Sequence, residues 1–223
     1  RDLAGTRSEE ITLFGGSASY NRLENSDFAY VRGLVLSLSM IETNGFSASL
    51  DYTFQIAKGS ASDPQQARNA IAGGSLPEIQ LTPLDWDQRN TVNMSLAYDR
   101  ANWGISGIGQ FGSGLPYTPL STEDISSLVL NSGKKPLTWN VDLKGYFIPR
   151  DGLRIFIRAE NIFDRLNPYT VYDDSGVADF TRWENIAKSQ NTGEPINSIS
   201  KWFLNETFYS NPRRIELGLS YVF

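Results

Sequence analysis

Seven segments of this chain alternate apolar with polar residues, and the last of them, Ile215-Glu216-Leu217-Gly218-Leu219-Ser220-Tyr221-Val222-Phe223, runs to an aromatic. Side chains on a strand point to opposite faces with a period of two, so each segment predicts a strand with one greasy face and one polar face. The predicted strands are 30–41, 46–57, 91–98, 103–111, 138–148, 153–163 and 215–223. In the second, Phe46, Ala48, Leu50, Tyr52, Phe54 and Ile56 oppose Ser47, Ser49, Asp51, Thr53 and Gln55. In the sixth, Leu153, Ile155, Ile157, Ala159 and Phe163, with Asn161 on the same side, oppose Arg154, Arg158 and Glu160. The fold class is therefore all-β and antiparallel, and what covers the greasy faces becomes the question.

Composition narrows the answer. The chain of 223 residues has neither Cys nor His, which removes disulfides, thiolate metal sites and the commonest general base. A net charge of −5 argues against a nucleic-acid partner, since phosphate binding needs a clustered basic face. No run approaches the eighteen or so apolar residues of a membrane helix. The other structure that can span a bilayer is a closed barrel, whose strands need only about nine to eleven residues.

Two patterns favour the barrel. Aromatic residues cluster near the strand ends, as Phe46, Tyr98, Trp103, Phe111, Trp139, Phe147, Phe163, Tyr221 and Phe223, where rings would sit at headgroup level. The connections alternate in length. Tight turns are predicted at Glu42 to Gly45, Asp99 to Asn102 and Pro149 to Gly152, with Thr43-Asn44-Gly45 and Arg150-Asp151-Gly152 as three-residue loops. Long connections run over 58–88, 112–137 and 164–213, all at the opposite end. Short periplasmic turns and long extracellular loops are the outer-membrane arrangement. Three loop helices are expected: Gln65 to Ala72 behind Asp63-Pro64, one opening at Ser121-Thr122-Glu123-Asp124, and one opening at Thr181-Arg182-Trp183-Glu184.

Several runs then resemble the late barrel of TonB-dependent outer-membrane receptors. They are Phe28-Ala29-Tyr30-Val31-Arg32-Gly33-Leu34-Val35-Leu36, Ser49 through Gly59, Pro83-Leu84-Asp85-Trp86-Asp87-Gln88-Arg89-Asn90-Thr91, Gly112-Ser113-Gly114-Leu115-Pro116-Tyr117-Thr118-Pro119, Ala159-Glu160-Asn161-Ile162-Phe163-Asp164, and the terminal strand. The resemblance implies an up-and-down transmembrane barrel of twenty-two strands plugged by an N-terminal domain. On that reading residues 1–223 are a C-terminal fragment of about seven strands, roughly the last third, because single-chain bacterial barrels have an even number of strands. Arg1 to Arg7 resemble the outer end of a preceding strand and its loop. The implied function is uptake of a scarce, bulky nutrient such as a metal chelate or glycan, energised through TonB, at the bacterial outer membrane. Its implied partners are outer-membrane lipid, the barrel-assembly machinery, TonB through the missing N-terminal part, and a small ligand.

Tyr117, Tyr169, Tyr172, Trp183 and Trp202 lie in the long loops and are candidate ligand contacts. Ile215, Leu217, Leu219, Tyr221 and Phe223 form the candidate assembly signal. Asp173-Asp174 with Asp179 match no ordered calcium loop, so they read as a solvated turn, and no resident metal or cofactor is expected. Catalysis would have to rest on a carboxylate pair, of which Asp85 and Asp87 are the nearest, and an enzyme is not expected. A passive barrel or adhesin and a soluble carbohydrate-binding β domain are the alternative classes.

Overall fold

The structure, a computed structural model, describes residues 2–74, 76, 79–120, 129–190 and 198–221. Its strands are β1 (Asp2–Leu13), β2 (Ala18–Thr43), β3 (Phe46–Gly59), β4 (Thr82–Pro83), β5 (Asn90–Asp99), β6 (Trp103–Gly112), β7 (Pro116–Tyr117), β8 (Gly133–Lys134), β9 (Thr138–Arg150), β10 (Leu153–Glu160) and β11 (Arg214–Tyr221). The long ones form one antiparallel sheet in the order β1-β2-β3-β5-β6-β9-β10-β11, each beside its predecessor, while β4 pairs with the end of β3 and β7 with β8. This is the up-and-down meander that the alternation predicted.

The register keeps the two faces pure. Leu38 lies opposite Leu50, which lies opposite Met94. Leu143 joins Gly107 to Ala159, and Ala159 meets Ile215. Three strands carry outward aromatics at the same interval, Phe46 and Phe54, Trp103 and Phe111, Trp139 and Phe147. That interval is about 26 Å along a strand at roughly 3.3 Å per residue, close to the apolar band of an outer-membrane barrel before tilt.

Nothing in the described chain packs over this band. Leu36 is 52% exposed and Leu217 is 75% exposed, and neither Leu50 nor Leu143 is buried. The buried apolar residues are Ala57, Ala61, Leu84, Val171 and Ala178, all at the long-loop end. A soluble sheet protein of this size would bury one face against a second layer. On the polar face Arg154 stacks 4.1 Å above the Tyr146 ring, the Tyr146 hydroxyl donates to Asp99 at 2.8 Å, and Arg158 pairs with Glu216 at 3.5 Å.

The structure corrects the sequence reading in four places. The first residues make a full strand, β1, so the long strands among the described residues number eight and the parity argument for a fragment lapses. β1 pairs with Ala18 to Phe28 of β2, whereas β3 pairs with Ala29 to Thr43, so the outer half of β2 rises past the rim as a two-stranded ribbon. The first tight loop has two residues: a bulge between Met40 and Thr43 brings Thr43 opposite Phe46, leaving Asn44 (φ 55°) and Gly45 (φ 85°) as the turn. Only glycine fits at 45, because a Cβ there would lie 2.1 Å from the Asp99 carbonyl oxygen. The third loop is likewise two residues, Asp151-Gly152, with Arg150 opposite Leu153. Finally, the sixth predicted strand stops at Glu160, since Asn161 turns the chain with φ 50°.

Helices α1 (Gln66–Ala72) and α2 (Arg182–Gln190) occur where predicted. The third predicted helix starts at 121–128, outside the described residues, as does Phe223. A short helix that the sequence reading missed, α3 (Ile199–Phe203), is capped by Ser198, whose side chain accepts from the Lys201 N–H.

Candidate functional site

Where a strand outruns its neighbour, its backbone groups still need partners. At the outer end of β3 the Ala57 N–H donates to the Asp87 carboxylate at 2.7 Å, and the Ala57 carbonyl accepts from Leu84 N–H at 3.1 Å. Asp87 is fully buried and also takes the Arg89 Nε at 2.8 Å. At the outer end of β9 the Asn167 amide does the same work: its Oδ1 accepts from Trp139 N–H at 3.0 Å and its Nδ2 donates to the Trp139 carbonyl at 2.8 Å. Asn161 ties the two ends of the last loop, donating from Nδ2 to the Arg165 and Asn211 carbonyls at 2.9 and 3.1 Å. The family-like runs around Asp87 and Asn161 are therefore rim clamps.

The same geometry removes the one carboxylate pair considered for catalysis. Asp87 is buried against backbone and Arg89, while Asp85 is exposed and accepts from Asn131 Nδ2 at 2.6 Å. Among the described residues no three acidic side chains converge as a cation site. Asp174 instead accepts from the Thr181 hydroxyl and Arg182 N–H at the start of α2.

The three long loops lean on one another. Asn131 reaches the Pro83 carbonyl at 2.8 Å, and Lys135 Nζ donates to the Tyr169 carbonyl at 3.0 Å. A Cβ on Gly114 would lie 1.6 Å from the Lys135 carbonyl oxygen, so that glycine lets the two arms of the 112–137 loop pair closely.

Beneath the loops the polar faces of β6, β9 and β10 form the floor of a groove of about 560 Å³, lined by Gln110, Asn140, Asp142, Glu160, Asn161, Asn167, Tyr169 and residues 210–214. A smaller hollow of about 180 Å³ adjoins it, sharing Gln110, Asn140, Asn167 and Tyr169. This groove is the candidate site.

The five candidate aromatics separate by position. Tyr169 lines both hollows and is 59% exposed. Tyr117 packs against Gly133 and Gly176 between loops. Tyr172 donates to the Phe203 carbonyl and lies 5.0 Å from the Phe208 ring; burial first, then the Asp174 and Glu184 carboxylates, raise its phenol above the usual 10.0. Trp183 and Trp202 are exposed on α2 and α3, away from the groove lining. Of the terminal stripe, Ile215, Leu217, Leu219 and Tyr221 all lie exposed on the apolar face.

α2 is fastened to α3 by Glu184, whose carboxylate accepts from Lys188 Nζ and Ser200 Oγ, each at 2.6 Å. The Lys188 hydrogen bond, then the Ser200 one, hold the Glu184 carboxyl below its ordinary 4.5. A carboxyl depressed by folding stabilises the fold above its unfolded value and loses that contribution as pH falls through the folded one. Acidification below about pH 4.5 is thus expected to loosen α3 from α2. Fluorescence of Trp183 and Trp202 should report a transition that Glu184→Gln abolishes; an identical transition in that variant would reject the assignment.

No family model and no curated protein matches the chain. Among solved structures, FpvA of P. aeruginosa, a TonB-dependent receptor, in complex with a heterologous pyoverdine and iron, aligns with a TM-score of 0.54 at 12% identity, over 99% of this chain and 23% of that one. The complex of FpvAI with pyocin S2 gives 0.53 at 13% identity, with the same coverage. The likeness is one of fold: this antiparallel sheet superposes on part of the barrels of those receptors. The chain spans less than a quarter of the length of these receptors. Sequence reasoning missed the groove itself, although its floor was legible as the inward positions of three neighbouring strands.

Proposed function

We propose that this chain is the C-terminal portion of a TonB-dependent outer-membrane receptor. In this reading it supplies barrel wall, extracellular loops and a terminal strand whose outward stripe, Ile215, Leu217, Leu219, Tyr221 and Phe223, guides assembly. The observation that carries it is the uncovered apolar band between two aromatic rows, a surface stable only against hydrocarbon. The likeness to FpvA in fold supports the receptor class. The sheet is open at both outer edges among the described residues, so further strands, about fourteen beyond the eight long ones to reach the twenty-two of large outer-membrane transporters, and a plug complete the barrel. The ligand enters from the loop side, with Tyr169 at the groove and the Trp183 and Trp202 rings further out.

The full-length protein, produced in a Gram-negative host, should fractionate with the outer membrane, resist salt extraction and migrate faster on a gel before boiling than after. Deleting TonB should abolish uptake without changing location. Recovery in the soluble periplasmic fraction would overturn the membrane reading, and TonB-independent uptake would overturn the coupling.

A further inference from the structure

The turn-side half of the apolar face carries a hollow of about 260 Å³ lined by Leu38, Met40, Ala48, Leu50, Met94 and Leu96. It follows from the register. Ala48 stands between Met40 and Leu96, and in the next row Leu50 stands between Leu38 and Met94, so one short side chain on β3 leaves a furrow between two taller walls. An apolar hollow of this kind stays dry and takes an aliphatic chain.

Two residues beyond Leu96, roughly 7 Å along β5, Tyr98 stands in the aromatic row with its ring centroid 5.5 Å from that of Trp103. Arg100, in the turn between β5 and β6, is fixed against this pair. Its main-chain N–H donates to the Trp103 carbonyl at 2.8 Å, its Nε donates to the Tyr98 hydroxyl at 2.6 Å, and its guanidinium carbon lies 5.0 Å from the Tyr98 ring centroid. The two terminal NH2 groups of Arg100 have no hydrogen bond and no ion pair among the described residues. The adjacent carboxylate, Asp99, is taken on the polar face by the Tyr146 hydroxyl.

A free guanidinium fork at the level where lipid heads begin matches a phosphodiester, whose oxygens accept two parallel N–H bonds. The Tyr98 hydroxyl, accepting from Arg100, keeps its own proton to donate to the same phosphate. A zwitterionic head would bring a second cation to the guanidinium, whereas a neutral polyol head leaves the phosphate charge whole. Short turns mark the periplasmic side of an outer-membrane barrel, which fixes the leaflet. We infer that Arg100, Tyr98 and the furrow over Ala48 form a site for one anionic phospholipid of the periplasmic leaflet, with its phosphate on the guanidinium and one acyl chain along β3. The inference rests on the membrane reading above and adds a lipid site on the face opposite the ligand groove.

The test uses the full-length protein, stripped of lipid in detergent and titrated with phosphatidylglycerol or phosphatidylcholine, with bound lipid counted by native mass spectrometry. One phosphatidylglycerol is expected to bind about tenfold more tightly than phosphatidylcholine, the worth of one charge-assisted contact. Arg100→Gln should remove that preference without lowering the melting temperature, because the side chain is exposed. Ala48→Phe, which fills the furrow, should weaken both lipids alike. Arg182→Gln, in α2, is the control for net charge and should change neither affinity. Equal affinity for the two lipids, a preference that survives Arg100→Gln or falls as far in Arg182→Gln, or unchanged binding in Ala48→Phe overturns the site. Should Ala48→Phe fail to assemble, the Arg100→Gln comparison decides alone. Recovery of the full-length protein in a soluble fraction would instead overturn the membrane reading, so the two failures are distinct.

Discussion

Replacing Leu50 with arginine is expected to block assembly of the barrel, or to leave it folded with about 2–4 kcal/mol less stability, the cost of a cationic side chain at the middle of a lipid-facing strand. Leu50 lies midway between Phe46 and Phe54, opposite Leu38 on one side and Met94 on the other, so no polar neighbour can shelter the charge. Urea titration of the full-length protein in lipid vesicles measures the loss. The matched control is Asp51→Arg, one residue along and on the other face, where the side chain meets water or a polar interior and little change is expected. Equal effects at 50 and 51 would mean that the two faces of the sheet share one environment, and the membrane reading would fail.

The second large effect is expected at the rim. Asp87→Ala removes the acceptor of the Ala57 N–H and the partner of Arg89 in one step, leaving a buried donor unpaired. Breaking a buried ion pair from one side costs about 3–5 kcal/mol, and the Arg89 side chain keeps 27% exposure, which lowers the expected loss to roughly 2–3 kcal/mol. Because β4 and the 84–89 turn are held to β3 through this carboxylate, the loss should be local. Amide exchange at Ala57 and the residues near Leu84 should quicken, while the mid-band strands keep their protection. Asp85→Ala provides the contrast, since Asp85 is exposed, its carboxylate accepts from a loop amide, and its backbone N–H bond to Ser62 survives the substitution, so a change within about 0.5 kcal/mol is expected. If Asp87→Ala behaved like Asp85→Ala, the clamp would have no role in fastening the loop.

The apolar and polar faces were legible in the chain because a strand has a strict period of two and a bilayer enforces it on every span. The turns were legible nearly as well, since Asn44-Gly45 demands positive φ at both positions and few residue pairs tolerate that. β1 was legible only as the outer end of a strand over Arg1 to Arg7, because its partner is the ribbon above the rim, where Arg22, Glu24 and Asn25 interrupt the greasy pattern. α3 escaped because five residues carry too little periodicity to register.

The candidate site divides in the same way. That Gln110 and Asn140 would point inward follows from the alternation alone; that they stand opposite one another depends on how far each strand slides along the next. The five loop aromatics look alike as letters in a sequence. Tyr117 and Tyr172 pack loops whereas Tyr169 faces the groove because of contacts with Gly176, Phe203 and Phe208, residues tens of positions away. The sequence by itself determined the sheet, its two faces and the end at which the loops gather, since these depend on neighbours along the chain and on the solvent each face meets. Only the tertiary structure decided which loop residues clamp the rim and which face the groove. Pairs such as Asn161 with Asn211 form only once separate strands have been brought level, and no local pattern encodes that alignment.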